Sequence, residues 1–365
     1  MIVKSLKLRN FRNYEDETVY LAPGMNLITG KNAQGKTNLL ESLVYLSLTR
    51  SHRIANDKAL IRKGFPFAHI LCEFTDEKRD MVIEAVIHES GKTLRVQKQP
   101  VKKSSEFIGL LNVVLFAPDD LRIFTDAPME RRKVINQEIT KVSSVYLQAL
   151  SRYQALLKER NLLLKREQFD LRFLATLEEQ MISCQSIIIK MRKDFVECID
   201  QEIGDAFKKL SGQEIDVHVK YHCCIKDFDQ IETALQNMYS EKRELDLKNQ
   251  VTSAGIQKED MKFELNGMNV IETASQGQKR ILMMSFKLAL LAYIQGQTNK
   301  KPVLLLDDVL SELDYERQKR LLDLVKGPCQ CLITSTDIPD FLKEKGMKEM
   351  VIENGSVKNG GQLDE

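Results

Sequence analysis

Gly30-Lys31-Asn32-Ala33-Gln34-Gly35-Lys36-Thr37 has the spacing GxxxxGK[ST] of a phosphate-binding loop, or Walker A motif. Its residue types suit that chemistry. Glycines let successive backbone N–H groups wrap a β-phosphate, and the helix expected to open at Lys36 adds its positive dipole end. Lys36 would neutralise β/γ oxygens, Thr37 would offer a hydroxyl to Mg²⁺, and Asn38 completes the stretch facing the nucleotide. The alternative is a plain glycine turn between strand and helix.

A second group of acids lies far along the chain. Val303-Leu304-Leu305-Leu306 reads as a fully buried strand ending at Asp307-Asp308, a Walker B pattern downstream of the loop. Asp307 would hold Mg²⁺ directly or through its water, and Asp308 would polarise the attacking water. Adjacent carboxylates repel one another unless a cation sits between them. Otherwise they are solvated acids at a strand end.

Ser275-Gln276-Gly277-Gln278 stands just before a long apolar helix. A hydroxyl, a glycine N–H and a helix N-terminus make an anion site. A second phosphate site so distant from the first is economically explained if Ser275 and Gly277 cap the γ-phosphate held by another subunit. The alternative is that Ser275 is only an N-cap.

Positioning these groups needs strands and helices, and the pattern supplies both. Ile2 to Leu8 alternates, Met25 to Thr29 is a short apolar run, and Ile70–Phe74, Met81–Ile87 and Thr93–Gln97 read as consecutive antiparallel hairpins, followed by a strand at 112–116. From about Pro128 to Gly212 helix formers dominate. Leu174, Leu177, Met181, Cys184, Ile188, Met191, Phe195, Ile199, Ile203, Ala206 and Leu210 form a coiled-coil-like seam. With a preceding helix near 143–166 and a short link, this predicts an antiparallel helical hairpin with an apolar core. Then come a strand at 215–221, a polar helix at 230–248, a weakly ordered stretch to Gly255, and a hairpin around Asn266-Gly267. A strand at 331–334 and a frayed tail from Asn354 complete the reading. The fold class is α/β, divided into 1–117, 118–270 and 271–365.

Composition narrows the class. Of 365 residues, 54 are Lys or Arg and 52 are Asp or Glu, a net charge of +2 that excludes a polycation attracting nucleic acid over its whole surface. It leaves room for a local basic track. The start of the chain lacks a signal-like apolar region, and Lys287 interrupts the longest apolar run, so no membrane contact is expected. Seven cysteines, including Cys223-Cys224, show no paired CxxC pattern, which fits a reduced, cytoplasmic protein.

These motifs, in this order, resemble the ABC-type ATPase heads of the SMC and RecF group, and the RecF type in particular. Leu6-Lys7-Leu8-Arg9-Asn10-Phe11-Arg12-Asn13-Tyr14, Ser51-His52-Arg53, Phe116-Ala117-Pro118-Asp119-Asp120, Arg131-Arg132, the Ser275 signature and Ser311-Glu312-Leu313-Asp314 carry the resemblance. It implies a head with a mixed P-loop sheet, antiparallel hairpins and an inserted helical lobe. ATP and Mg²⁺ would be the cofactors, and Gly30 to Asn38, Ser275 to Gln278 and the D-loop Asp314 would touch nucleotide. Lys36, Asp308, Ser275 and Gly277 would be catalytic, Thr37 and Asp307 metal-binding. The resemblance also implies an ATP-dependent homodimer with weak DNA-stimulated hydrolysis. It further implies DNA binding at duplexes and gap junctions, partnership with RecR and RecO in loading RecA, and support of SOS induction. Where such proteins read close to Gly-Pro-His-Arg-Asp-Asp, this chain has Gly255-Ile256-Gln257-Lys258-Glu259-Asp260. No Q-loop glutamine is placed, and Pro118-Asp119-Asp120 would serve as its equivalent; the hydroxyls of Thr334 to Thr336 stand at the switch.

Basic clusters suited to phosphate contacts are Arg50, His52, Arg53, Lys58, Arg62 and Lys63; Lys92, Arg95, Lys98, Lys102 and Lys103; and Arg152, Lys158, Arg160, Lys165 and Arg166. Arg50, Arg53, Lys98, Lys102 and Lys103 are the foremost candidates. A transporter nucleotide-binding subunit and an ATP-gated scaffold not acting on DNA are the alternatives.

Overall fold

A computed structural model describes residues 1–77, 79–125, 127–327, 329–336 and 347–359. In chain order the elements begin β1 (Ile2–Phe11), β2 (Tyr14–Tyr20), β3 (Met25–Thr29), α1 (Lys36–Leu48), β4 (Phe67–Asp76), β5 (Arg79–His88), β6 (Gly91–Val96), β7 (Gln99–Pro100) and β8 (Val113–Phe116). The helical part follows with α2 (Pro128–Val142), α3 (Ser144–Leu163), α4 (Leu171–Ser211), β9 (Val217–His222), α5 (Ile231–Asn249), β10 (Asp260–Leu265), β11 (Met268–Asn269) and α6 (Val270–Thr273). The chain continues with α7 (Gln276–Thr298), β12 (Val303–Asp307), α8 (Tyr315–Val325), β13 (Cys331–Ser335), β14 (Lys348–Glu353) and β15 (Ser356–Asn359). Two units result: Met1–Asp120, Ala206–Gln213 and Met283–Glu365 form one, Leu121–Asp205 and Glu214–Leu282 the other.

The first unit holds two six-stranded sheets, β2-β1-β4-β5-β6-β7, all antiparallel, and β15-β14-β3-β13-β12-β8, parallel except for β15. Helix α1 touches strands of both sheets, and eleven of its residues are buried. This explains why it is apolar nearly all round rather than striped. The central parallel strands β3, β13 and β12 are buried on both faces, as the unbroken run Val303 to Leu306 requires. The expected frayed tail is ordered through residue 359. Asn354 (φ 50°) and Gly355 (φ 77°) make a tight turn, and β15 returns along β14. Residues 360–365 lie outside the described part.

In the second unit, α3 and α4 form the helical hairpin beside α2, α5 and the sheet β11-β10-β9. The apolar seam of α4 is buried at Leu174, Leu177, Met181, Ile188, Phe195 and Ile199. It is not purely apolar: Glu178, Gln185 and Arg192, seven residues apart in turn, are also buried. Each bonds outside α4, Glu178 to Arg160 of α3 (2.8 Å), Gln185 to Tyr239 of α5 (2.8 Å) and Arg192 to Glu259, just before β10 (2.6 Å). The stretch expected to be weakly ordered is pinned by the same chemistry. Thr252 is buried, donates to Asn161 (2.7 Å) and accepts from Arg160 (2.8 Å), while the Ser253 N–H reaches Asp246 (2.9 Å). Side-chain bonds hold it where apolar periodicity is lacking.

Arg160 is therefore a structural residue and not a DNA contact. It is fully buried between Glu178 and Asp246, each at 2.8 Å. Arg160→Ala will leave the buried Asp246 carboxylate without its ion-pair partner and cost about 3–5 kcal/mol, read as a fall in the urea midpoint. A midpoint within error of wild type would show the pair to be dispensable.

Candidate active site

Local chain geometry builds the phosphate loop. Gly30 (φ 145°) follows β3 where a Cβ would stand 2.4 Å from the Ile352 carbonyl oxygen, so the neighbouring strand β14 demands glycine there as much as any ligand does. Gly35 (φ 122°) caps α1, and a Cβ there would press on Asn13 at 2.8 Å and on Tyr14 at 3.0 Å. Those two residues clamp the loop from outside. Asn13 Nδ2 donates to the Gln34 carbonyl (2.8 Å), Asn38 Nδ2 to Asn13 Oδ1 (2.8 Å), and the Tyr14 hydroxyl to the Gly35 carbonyl (3.0 Å). The Asn354-Gly355 turn adds a second clamp, with the Gly355 N–H on the Gln34 carbonyl (3.0 Å) and the Asn354 N–H on Gln34 Oε1 (2.6 Å).

At the head of α1, Lys36 is buried and donates to the carbonyls of Gly30 and Lys31. Burial lowers its pKa, opposed by the charges of Asp308 and Asp307. Thr37 Oγ1 donates to Asp307 Oδ1 at 3.0 Å, uniting two residues 270 positions apart. Thr334 of β13 donates to the same oxygen (2.8 Å) and accepts the Asp308 N–H (3.0 Å). Burial raises the Asp307 pKa, as does Asp308, against the hydroxyl bonds and the nearby Arg53 charge. Asp308 has φ 52°, and its Oδ1 is buried with no hydrogen-bond partner. A buried acceptor without a donor is costly and marks a site kept ready for chemistry.

Thr37 and Asp307 fit a hard cation. Both offer oxygen, and their 3.0 Å separation matches the edge of an octahedron with bonds near 2.0–2.1 Å, about 2.9 Å.

The sequence motifs did not reveal how the loop after α1 is held. Glu41, fully buried on α1, takes a bidentate pair from Arg12 (2.9 and 2.8 Å) and the Ser51 hydroxyl (2.5 Å). Burial works to raise its pKa, but the bonds from Arg12 and Ser51 prevail and lower it. Ser51 in turn accepts the N–H groups of Arg53 (3.0 Å) and Ile54 (3.2 Å). Arg53 Nη1 reaches Asn38 Oδ1 at 3.3 Å, so Arg53 stands beside the site, whereas Arg50 is exposed after the α1 C-cap. The Asn-Phe-Arg-Asn-Tyr string was the available signal.

His52 is not an exposed basic group. Its Nδ1 is buried without a partner, and burial lowers its pKa to about 4. Glu41, Asp120, Arg53 and Lys287 surround it, with Lys287 paired to Asp120 at 3.0 Å. The neutral ring is favoured on folding, so its contribution is complete above pH 6.5 and lost as pH falls from 6.5 toward 4. That loss amounts to about 3 kcal/mol at most. Urea midpoints at pH 7 and 4.5 should show a smaller difference in His52→Gln than in wild type. Equal differences would remove His52 from the acid response.

The signature residues lie in the second unit. Ser275 Oγ accepts the Gln278 N–H (3.2 Å) while Gln278 Oε1 accepts the Ser275 N–H (2.9 Å), a capping box opening α7. Asp314 likewise caps α8, accepting the Arg317 N–H at 2.9 Å. Of the basic residues, Lys92 is tied to Asp57 (2.9 Å) and Arg95 to Glu84 (3.3 Å). Lys98, Lys102 and Lys103 are exposed around the β6–β7 turn and the segment after it.

The family model described as the RecF/RecN/SMC N terminal domain matches residues 2–358. Proteins named DNA replication and repair protein RecF are similar over the full length. That of Lachnoclostridium phytofermentans is 36% identical over 366 residues, spanning 99% of this chain and all of that protein. That of Clostridium novyi is 37% identical over 361 residues, spanning 98% and 99%. A solved RecF-ATP structure, described as a recombination mediator protein in the RecFOR pathway, has a TM-score of 0.91 at 30% identity over 99% of this chain and 98% of that one. The Smc head of Pyrococcus furiosus, at 18% identity and a TM-score of 0.57 over 98% and 95% of the two chains, shares the fold. No helix among the described residues is long and apolar enough to cross a membrane. With sequence and fold matched from end to end by proteins of that name, the chain belongs to the RecF family.

Proposed function

We propose that this protein is an ATP-dependent DNA-binding protein of replication and repair, acting in the cytoplasm with RecR- and RecO-like partners to load RecA at gaps and support SOS induction. The observation that carries the nucleotide part is the convergence of Lys36, Thr37, Asp307 and Asp308 at the ends of α1 and β12, with Oδ1 of Asp308 buried and unpartnered. Residues 30–38 would bind the phosphates, with Lys36 meeting β/γ oxygens. Mg²⁺, held by Thr37 and Asp307, would neutralise charge on the same phosphates when bound. Asp308 would orient the attacking water, and Thr334 fixes its backbone.

ATP would join two copies through Ser275, Gln276, Gly277 and Gln278, with Asp314 adjoining. Two features support this reading. In the capping box Ser275 Oγ accepts a bond, so its own proton stays free to donate to a phosphate. At Gly277 a Cβ would meet only Ser275 Oγ, at 4.0 Å, so packing within the chain does not require glycine there. In this reading 1–117 and 271–365 supply the ATPase lobe and 118–270 the inserted helical lobe. Arg50, Arg53, Lys98, Lys102 and Lys103 would track DNA phosphates, with Arg53 linking that contact to Asp307.

The test is the ATPase rate and dimer fraction with gapped, duplex and single-stranded DNA over a salt series. DNA-stimulated hydrolysis that fades steeply with salt is expected. No DNA binding at low salt would turn the reading toward a nucleotide-binding subunit of other purpose.

A further inference from the structure

Two thiols and a carboxylate meet in the second unit, in a place the nucleotide chemistry does not use. Cys223 and Cys224 follow directly on β9, and Glu259 directly precedes β10. The antiparallel register sets Asp260 opposite His222, so the strand pairing itself brings Glu259 back onto the two cysteines.

Glu259 is 2% exposed, and its two oxygens have separate surroundings. Oε2 accepts from Arg192 Nη1 at 2.6 Å and from the Tyr221 hydroxyl. Oε1 faces sulfur: Cys223 Sγ at 3.1 Å, Cys224 Sγ at 3.3 Å, with the Cys224 N–H at 3.4 Å. The three possible ligand atoms all lie within 4.8 Å of one another. Around a tetrahedral ion with bonds of about 2.0–2.3 Å, ligand atoms stand roughly 3.4–3.8 Å apart, so small side-chain movements suffice. Both cysteines are partly exposed, which leaves a path for an ion and room for a water as fourth ligand.

We propose that Cys223, Cys224 and Glu259 form a binding site for a thiophilic divalent cation, with Zn²⁺ the best match to two sulfurs and one oxygen. As two metal–sulfur bonds form, two S–H bonds break and both protons pass to solvent, while Glu259 Oε1 exchanges its S–H donors for the ion. Charge is conserved through the exchange. Two neutral thiols with the Glu259–Arg192 pair sum to zero, and so do Zn²⁺, two thiolates and the same pair. Burial therefore places no net-charge penalty on loading. Arg192 and Tyr221 hold the carboxylate in place from its other oxygen, as outer partners of metal ligands do. The bound ion would fasten the end of β9 to the segment leading into β10.

Zn²⁺ binding to the full chain, measured in excess Mg²⁺ against a chromophoric chelator, tests this. One equivalent should bind to wild type, and Cys223→Ser and Cys224→Ser should each weaken it by about 100-fold or more. Co²⁺ should give a thiolate charge-transfer band, reduced to about half in either single variant and lost in the double. Chelation should lower the thermal midpoint of Zn²⁺-loaded wild type and leave the double variant unmoved. Zn²⁺ affinity equal in wild type and double variant, or a Co²⁺ spectrum without a thiolate band, would overturn the proposal. The cysteines would then be only hydrogen-bond donors to a buried carboxylate.

Discussion

Asp308→Asn will leave ATP binding intact and slow single-turnover hydrolysis by about 10²–10⁴-fold, the range of a positioned general base. The substitution is unusually clean. Asparagine matches aspartate in size and tolerates the left-handed backbone at φ 52°, so the chain after β12 need not move. The Thr334 hydroxyl bonds the backbone N–H of residue 308 and is indifferent to the side chain. What disappears is one carboxylate whose Oδ1 is buried without a donor, and whose charge bears on Lys36 and Asp307. Asp307 and Thr37 keep their contact in the variant, which separates loss of the base from loss of the cation site. Hydrolysis at the wild-type rate would place the base elsewhere.

The second large effect concerns assembly. Ser275→Arg should abolish the ATP-dependent dimer in sedimentation velocity, a weakening of at least about 100-fold, or near 3 kcal/mol. Arginine cannot accept the Gln278 N–H, so α7 loses its cap at a cost of about 1 kcal/mol to the monomer. It also fills the open side of Gly277, where the partner's phosphate is expected. Ser275→Ala is the control, since it removes the cap without adding bulk and should retain part of the dimer. If Ser275→Arg dimerised with ATP as wild type does, Ser275 would be a helix cap alone.

Much of this site was legible as local pattern. The phosphate loop needs glycine where φ is positive and an apolar strand before it, and both needs are met within a few residues. The same holds for the hairpins β4 to β6, whose alternation reports one buried face, and for Asn266-Gly267, where both residues take positive φ. The equivalent Asn354-Gly355 signal is as strong, but it stands near the chain end, where fraying is the usual expectation. Its pairing became evident only with Gln34 beneath it.

By itself, then, the sequence determined most of the elements, their order and the candidate nucleotide-binding groups, because strand and helix periods and glycine requirements are properties of neighbouring residues. Only the tertiary structure decided which charges are buried. Arg160, His52 and Lys158 read alike as basic residues, yet Arg160 lies between two carboxylates, one of them 86 positions away, and His52 is enclosed and neutral. Glu178, Gln185 and Arg192 stand outside the apolar spacing of α4, and partners beyond the helix bury them along its seam. The cost of desolvating a charge is set by what is brought against it. In this chain those partners come from distant segments, and no local spacing encodes them.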